Sequence, residues 1–177
     1  MSAPGSALRG KEQASYTTRF GSLDSYDKGR VEIVNDDPRH YAFSNVFEVA
    51  SNAKPYEKIA VGRNMEYVLE AIRAEGTSEW RTAAHDEFAL VMDGEVEIVL
   101  VKLTQSPLPP DAEGSVAIDG EPDGQRMGRV VARRGHMTLL PAGAAYRFAA
   151  ERPSVILLQT IAGPDTQFRW AEIAQSL

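Results

Sequence analysis

The stretch HDEFALVMDGEVEI, residues 85 to 98, carries the side chains with the clearest chemical potential in this chain. His85 offers an imidazole and Glu87 a carboxylate, which are ligand types that first-row divalent metals accept in proteins. Side chains two apart in a strand face the same side, so His85 and Glu87 would point inward together and Asp86 outward. The chemistry predicted from these residues is metal binding, or the remnant of it.

Further metal ligands are scarce. The chain has three histidines and no cysteine, whereas a first-row metal held by protein usually needs three or more good ligands. His40 lies far from residues 85–98 in sequence. The lack of cysteine also excludes disulfides and thiolate chemistry.

The charge and hydropathy of the chain limit its partners. The formal net charge is −6, and the densest basic run is only ARRGH at 132–136. A protein that neutralises phosphates needs a basic stripe, so no nucleic-acid partner is expected. No apolar window reaches the length of a signal peptide or a membrane span. We therefore expect a cytoplasmic protein with no membrane partner.

The elements that must position these side chains are mostly short strands. Alternating or β-branched residues predict strands at 30–35 and 40–50, while 64–76 fits either a helix or a strand. Asp93-Gly94 predicts a tight hairpin turn, because Asp-Gly readily adopts the positive φ angles that such a turn requires. The segment 104–128, dense in Pro, Gly and Asp, predicts a long surface loop or flap that can include a short hairpin.

Strand character returns in residues 129–150 and 153–163, and the tail from 165 to 177 predicts a short closing helix. Residues 1–28 are polar and predict a flexible N-terminal arm. Residues 29–177 then form a single domain. Many short strands with at most one helix favour an all-β fold, an antiparallel barrel or sandwich.

Two segments match a known pattern. Glu87 and Gly94 are separated by six residues, and Gly135 precedes Pro141-x-Gly143. These segments resemble the two signature motifs of the cupin superfamily, which are small jelly-roll barrels. The resemblance implies a cupin-type jelly-roll barrel. In metal-binding members, three histidines and one glutamate hold a divalent metal, usually iron, manganese, nickel or zinc.

The chain departs from the cupin pattern at the ligand positions. Tyr146 stands where the second motif has its histidine, so of the four ligands only Glu87 remains. The His-x-His positions of the first motif fall, in the two possible frames, on Arg81 and Ala83 or on Thr82 and Ala84. Two readings stay open. Either the shell persists without its metal and Tyr146 fills the pocket, or His85, Glu87 and Tyr146 form a rescued metal site.

A narrower resemblance covers most of the chain. The run from 52 to 103, the size and the Pro-rich segment between the motifs resemble the small (alpha, non-metal-binding) subunit of two-component Fe(II)-dependent hydroquinone 1,2-dioxygenases. The resemblance implies an extradiol-type ring-cleavage enzyme, a heterotetramer that converts hydroquinone to 4-hydroxymuconic semialdehyde with O2. It also implies that Fe(II) is held by a large cupin partner subunit and that this chain needs no cofactor and is inactive alone.

The candidate pocket or interface residues have individual roles to test. Trp80 could close off a small aromatic substrate or enter a partner's site, and Arg81 could pair with Glu87. His85 could shuttle protons. Tyr146 could fill the pocket with its hydroxyl bonded to Glu87 or His85. Two other functions remain: a stand-alone metal-dependent dioxygenase or isomerase using His85, Glu87 and Tyr146, and a non-catalytic cupin that binds a small molecule.

Overall fold

The computed structural model describes residues 21–26 and 45–169. The predicted strand at 30–35, most of the predicted N-terminal arm and most of the predicted tail helix lie outside these residues. The elements, in chain order, are α1 (Val46–Asn52), β1 (Ile59–Asn64), β2 (Tyr67–Thr77), β3 (Trp80–Ala83), β4 (Glu87–Asp93), β5 (Glu95–Leu103), β6 (Ser115–Ile118), β7 (Gly124–Arg133), β8 (Met137–Leu140) and β9 (Ala144–Ile161).

Strand β9 is the frame of the molecule. On one edge it pairs with β2 and then β3, and on the other edge with β4 and then β5, all antiparallel. The pairing with β2 shifts register between Ala150 and Ser154. Pro153 lies in this interval and lacks the N–H that a ladder position needs.

The interruption divides the sheet into two halves that share β9. The first half-barrel has the strand order β1-β2-β9-β4-β8, and the second half-barrel has the order β6-β3-β9-β5-β7. One hydrophobic cluster joins Ile72 and Leu158 of the first half to Ile98 and Phe148 of the second. The two inner faces therefore enclose one core, and the prediction of an all-β, cupin-type jelly-roll barrel is confirmed.

No helix among residues 21–26 and 45–169 is long and apolar enough to cross a membrane.

Two sequence predictions around the first strands change in the structure. The ambiguous segment 64–76 is mainly strand, because it forms β2 with alternate residues on the core side. The predicted strand 40–50 is wrong from residue 46 onward, where α1 forms. The side chain of Asn45 accepts a hydrogen bond from the N–H of Phe47 at 3.0 Å and caps this helix, an effect that outweighs strand propensity.

The predicted hairpin at Asp93-Gly94 is also wrong. Gly94 has the expected positive φ of 77°, but β4 and β5 do not pair with each other. They follow one another along the same edge of β9. The dipeptide therefore makes a kink that carries the chain from the first half-barrel to the second. The hydroxyl of Ser154, on β9, holds the kink by accepting from the N–H of Glu95 at 3.2 Å.

The predicted long loop 104–128 is shorter than expected. Residues 115–118 form β6 and β7 begins at Gly124. The two strands do not form a hairpin with each other, because β6 pairs with β3 and β7 pairs with β5. The irregular parts are 104–114 and 119–123, and the segment brings a strand to the edge of the second half-barrel.

Gly94→Ala should destabilise the fold. A Cβ at this position would lie 2.7 Å from the Cβ of Ser154, and the positive φ disfavours any L-residue. Strain and overpacking together predict a loss of roughly 2–4 kcal/mol in the free energy of unfolding, measured in urea. Gly128→Ala is the matched control, because a Cβ there meets nothing within 4 Å. Equal losses for the two variants would contradict the role of the kink.

Candidate functional site

Glu87, the one retained ligand of the cupin pattern, lies at the centre of the barrel. Its side chain has no exposed surface. Its Oε1 accepts a hydrogen bond from the hydroxyl of Thr160 at 2.6 Å, across the ladder between β4 and β9. The prediction that Glu87 points inward is therefore correct.

His85 shares this inward side with Glu87. Its Nε2 lies 2.9 Å from the hydroxyl of Thr160 and accepts the backbone N–H of Ile161 at 3.2 Å. The lone pair of Nε2 is thus used within the protein. Thr160 gives its one hydroxyl proton to Glu87 and contacts His85 without a second donation. Nδ1 of His85 and Oε2 of Glu87 are buried without a hydrogen-bond partner among the described residues.

Tyr146 fills the barrel opposite them. It is fully buried and packs against Phe148 with ring centroids 5.3 Å apart. Burial and the neighbouring charge of Glu87 raise the pKa of Tyr146 well above its usual value, so the phenol stays neutral. Among the described residues, its hydroxyl makes no hydrogen bond of standard geometry. Glu87 and Ser115 still lie close enough to act on the pKa of Tyr146 as side-chain partners, so the expected proximity of Tyr146 to Glu87 is present.

Arg81 also points into the barrel, since it is paired in register with Tyr146. Its guanidinium donates to Ser115, through Nε to the hydroxyl at 3.0 Å and through Nη2 to the carbonyl at 2.8 Å. It forms ion pairs with Glu79 and Asp165. The expected pairing of Arg81 with Glu87 is replaced by these contacts.

Sequence reasoning missed a buried ion pair beside these residues. The ammonium of Lys58 lies 3.2 Å from Oε2 of Glu70, with the two side chains 5% and 0% exposed. Lys58 also donates to the hydroxyl of Ser115 at 2.9 Å, which links it to Arg81. The hydroxyl of Thr166 donates to the other oxygen of Glu70 at 2.6 Å. Once 64–76 is assigned as a strand, the alternation places Glu70 inward, but no sequence signal identifies Lys58.

Burial raises the pKa of Glu70, and the charge of Lys58 opposes that rise. The carboxylate of Glu87 also acts on Glu70 in the raising direction, so the two acids lie near each other in the barrel. Lys58 and Arg81 bring positive charge into the same interior. Lys58 therefore neutralises Glu70, whereas Glu87 receives a hydrogen bond from the hydroxyl of Thr160.

A small cavity lies beside Lys58. Its volume is ≈ 20 Å³, and its lining includes Lys58, Arg81, Tyr146 and Phe148 but neither His85 nor Glu87. It has room for about one water molecule. A six-membered aromatic ring cannot enter a space of this size.

The residues at and beside the cupin ligand positions supply fewer ligands than a first-row metal ion usually needs. Within residues 21–26 and 45–169, no three His, Asp or Glu side chains are grouped so that they could hold a metal. His85, Glu87 and Tyr146 nevertheless each have a buried side-chain atom without a hydrogen-bond partner among the described residues: Nδ1, Oε2 and the hydroxyl. The proposed set therefore offers one imidazole and one carboxylate, with a phenol beside them.

Trp80 lies on the outer side of β3, away from the barrel interior. It packs with Val101 in a separate cluster and is 6% exposed. Its Nε1 donates to Glu121 at 3.1 Å, and the guanidinium of Arg147 lies 4.4 Å from the ring centroid. Trp80 thus lines no pocket inside its own barrel, and its role at an interface stays a prediction.

Comparison with solved structures gives two matches over nearly the whole chain. Hydroquinone 1,2-dioxygenase PnpCD, in complex with Cd²⁺ and 4-hydroxybenzonitrile, contains a chain that is 54% identical, with 93% of this chain and 100% of that chain covered and a TM-score of 0.84. Hydroquinone 1,2-dioxygenase from Sphingomonas sp. TTNP3, with 4-hydroxybenzoate bound, gives 58% identity, coverage of 92% and 99%, and a TM-score of 0.85. Neither protein-family models nor curated proteins give a match.

A third match is to a different kind of chain. A chain in the structure of PnpCD with Fe³⁺ is 13% identical and has a TM-score of 0.56 over 80% of this chain, which is 39% of that chain. This likeness shows a shared fold alone. Since the match covers less than half of it, that chain is much the longer of the two.

Removing the ammonium of Lys58 should destabilise the fold. Lys58→Met leaves Glu70 buried without its cation, and breaking a buried pair from one side costs about 3–5 kcal/mol. Lys58→Met with Glu70→Gln should recover most of this loss, because no charge is then left unpaired. Arg129→Met, which breaks an exposed pair with Glu97, is the control and should cost less than about 1 kcal/mol. Urea unfolding in which Lys58→Met matches Arg129→Met would contradict this account.

The raised pKa of Glu70 also predicts a pH dependence of stability. The folded state binds the proton of Glu70 more tightly than the unfolded state does. The stability that proton binding by Glu70 adds to the folded state is complete below the ordinary carboxyl pKa. It is lost as the pH rises through the raised pKa. Glu70→Gln should remove this component from urea unfolding measured between about pH 4 and about pH 8. The same pH profile in both proteins would show that Glu70 titrates normally.

Proposed function

The chain belongs to the hydroquinone 1,2-dioxygenase family, and we propose that it is the small, non-metal-binding subunit of such an enzyme. The enzyme adds O2 to hydroquinone and opens the ring to give 4-hydroxymuconic semialdehyde, so that both oxygen atoms enter the product. Fe(II) is held by a larger cupin subunit, and the two kinds of chain assemble as a heterotetramer.

Chain length supports the assignment to the small subunit. The two high-identity matches cover 100% and 99% of the chains that they match, so those chains are about as long as this one. The longer chain in the PnpCD structure with Fe³⁺ has the same fold but only 13% identity. This chain is therefore the counterpart of the shorter kind, and the longer kind is the candidate for the iron-bearing partner.

The observation that carries the proposal is the filled interior of the barrel. Tyr146, Arg81 and the Lys58–Glu70 pair lie in the interior of the barrel, and the cavity beside them is ≈ 20 Å³. Hydroquinone has no room in that cavity. Ring cleavage then takes place in the partner, and this chain supports the partner's site from outside.

Trp80 is the residue of this chain that we assign to that support. It lies on the outer side of β3 and is 6% exposed, with Glu121 and Arg147 holding its ring in place. Aromatic side chains are frequent anchors at interfaces. In this proposal the exposed edge of the ring closes the partner's substrate pocket.

The direct test is reconstitution of activity from separated subunits. The chain alone, supplied with Fe(II), hydroquinone and O2, should show no oxygen uptake. Adding the cognate large subunit should restore oxygen uptake and form the ring-opened product. A chain with Glu87→Gln, whose amide oxygen can still accept from Thr160, should support the same rate within about threefold, because in this proposal Glu87 touches neither the substrate nor the iron.

Turnover by the chain alone that is lost in Glu87→Gln would contradict the proposal. That result would assign the chemistry to His85, Glu87 and Tyr146 and make this chain a stand-alone metal enzyme. Saturable binding of an aromatic compound to the isolated chain, without product in any mixture, would instead support a non-catalytic binding protein.

A further inference from the structure

The turn between β6 and β7 brings a carboxylate to the indole of Trp80. This turn spans residues 119–123, and Gly120 adopts a positive φ of 71° in it, a conformation that favours glycine. The next residue, Glu121, has a side chain that is 78% exposed, yet its Oε2 accepts a hydrogen bond from Nε1 of Trp80 at 3.1 Å. The segment 104–128, which the sequence marks as rich in Pro and Gly, therefore contains a turn that contacts Trp80 directly.

Arg147, on β9, completes a closed set of three contacts around the indole. Its guanidinium carbon lies 4.4 Å from the centroid of the Trp80 ring, and its Nη1 lies 3.3 Å from Oε1 of Glu121. Each carboxylate oxygen of Glu121 thus holds one partner. The guanidinium is attracted both to the carboxylate and to the face of the ring, so the three side chains support one another.

Apolar packing holds the ring but does not determine its direction. Trp80 shares a cluster with Val101 and Ala145, and Ile118 packs against this cluster. Hydrophobic contact is non-directional, whereas a hydrogen bond from an N–H prefers a nearly straight geometry. The direction of the indole within its cluster is therefore set by Glu121, and Arg147 fixes the carboxylate that sets it.

We propose that Glu121 and Arg147 are positioning residues for Trp80, an inference that rests on the proposed function. In that function the exposed edge of the ring closes the partner's substrate pocket, so the place of the ring decides how completely the pocket is closed. Misplacing a group beside a bound substrate by about 1 Å lowers the rate by up to roughly 10²-fold. Glu121 and Arg147 thus act on ring cleavage through Trp80, without touching the substrate or the iron.

The test is kcat/KM for hydroquinone in the enzyme reconstituted from both subunits, measured by oxygen uptake with this chain in saturating amount. Glu121→Ala removes the acceptor for Nε1 of Trp80, and Arg147→Met removes the guanidinium. Each should lower kcat/KM about tenfold, as expected for a displaced side chain at the edge of a substrate pocket. Glu121→Gln, whose amide oxygen still accepts from Nε1, should recover most of the loss seen in Glu121→Ala.

The exposed ion pair of Glu97 and Arg129 provides the matched control. It lies on the same outer surface, because Val99 is paired in register with both Arg129 and Arg147. The charges of the control pair are engaged with each other. Glu97→Ala and Arg129→Met should therefore change kcat/KM by less than about twofold, since an exposed pair of this kind contributes little.

A second set of variants shows whether the effect passes through Trp80. Trp80→Leu removes both the ring and the N–H. In this background, Glu121→Ala and Arg147→Met should each lower kcat/KM by less than about a further twofold, because coupled side chains lose their effect when the shared partner is absent. If Trp80→Leu does not fold, Trp80→Phe takes its place. It keeps a ring without an N–H, and the loss caused by Glu121→Ala should shrink in it.

Thermal unfolding of each isolated variant separates positioning from stability. Glu121→Ala should leave Tm close to the wild-type value, because exposed ion pairs contribute little to stability. A loss of activity that follows a loss of Tm would assign Glu121 to the fold of the chain and overturn the inference.

The remaining results separate this inference from the proposed function. A wild-type chain that neither binds nor activates the large subunit contradicts the proposed function itself. Normal activation by the wild type, with full kcat/KM in Glu121→Ala and Arg147→Met, overturns only the positioning role. Losses that persist in the Trp80→Leu background, together with a raised Kd for the large subunit, assign both residues to direct contact with the partner. That result also overturns the inference, as do equal losses in the control variants.

Discussion

The barrel interior must keep its buried carboxylates neutralised, and the rest of the site depends on how it does so. Glu70 and Glu87 have no exposed surface, and an uncompensated buried carboxylate costs several kcal/mol or takes up a proton. A metal ion would meet this requirement in a metal cupin. Here the ammonium of Lys58, 3.2 Å from Glu70, neutralises one acid, and the hydroxyl of Thr160, 2.6 Å from Glu87, donates a hydrogen bond to the other. Tyr146 and Arg81 share the same interior.

The frame that brings these groups together is the long strand β9. Its two edges hold β2 with β3 and β4 with β5, and its register shift turns one sheet into two facing halves. Tyr146 and Thr160 belong to the same strand but to different halves, so the interior is closed from both sides by one element. A barrel filled in this way can contribute to catalysis through its outer surfaces, and Trp80 lies there with Glu121 and Arg147.

The sequence predicted the fold class and the inward direction of Glu87, because strand alternation and the motif spacing are local features. At Asp93-Gly94 the predicted positive φ was correct, but the predicted pairing of β4 with β5 was wrong. Both strands pair with β9 instead, and a local turn signal carries no information about that distant strand. The prediction also failed at residues 46–50, where the cap from Asn45 overrides strand propensity. The burial of Lys58 could not be predicted, because a single lysine in a polar turn belongs to no sequence pattern that indicates burial. Glu70 would have been found only after 64–76 had been assigned as a strand.

The central claim is that this barrel holds no metal ion of its own, and the iron content of the isolated chain tests it most directly. The chain is purified alone, incubated anaerobically with Fe(II), desalted and measured by elemental analysis, with Glu87→Gln treated in parallel. The account predicts iron far below one atom per chain in both proteins. A content close to one iron per wild-type chain that is lost in Glu87→Gln would contradict the claim. The reaction would then be assigned to the barrel of this chain.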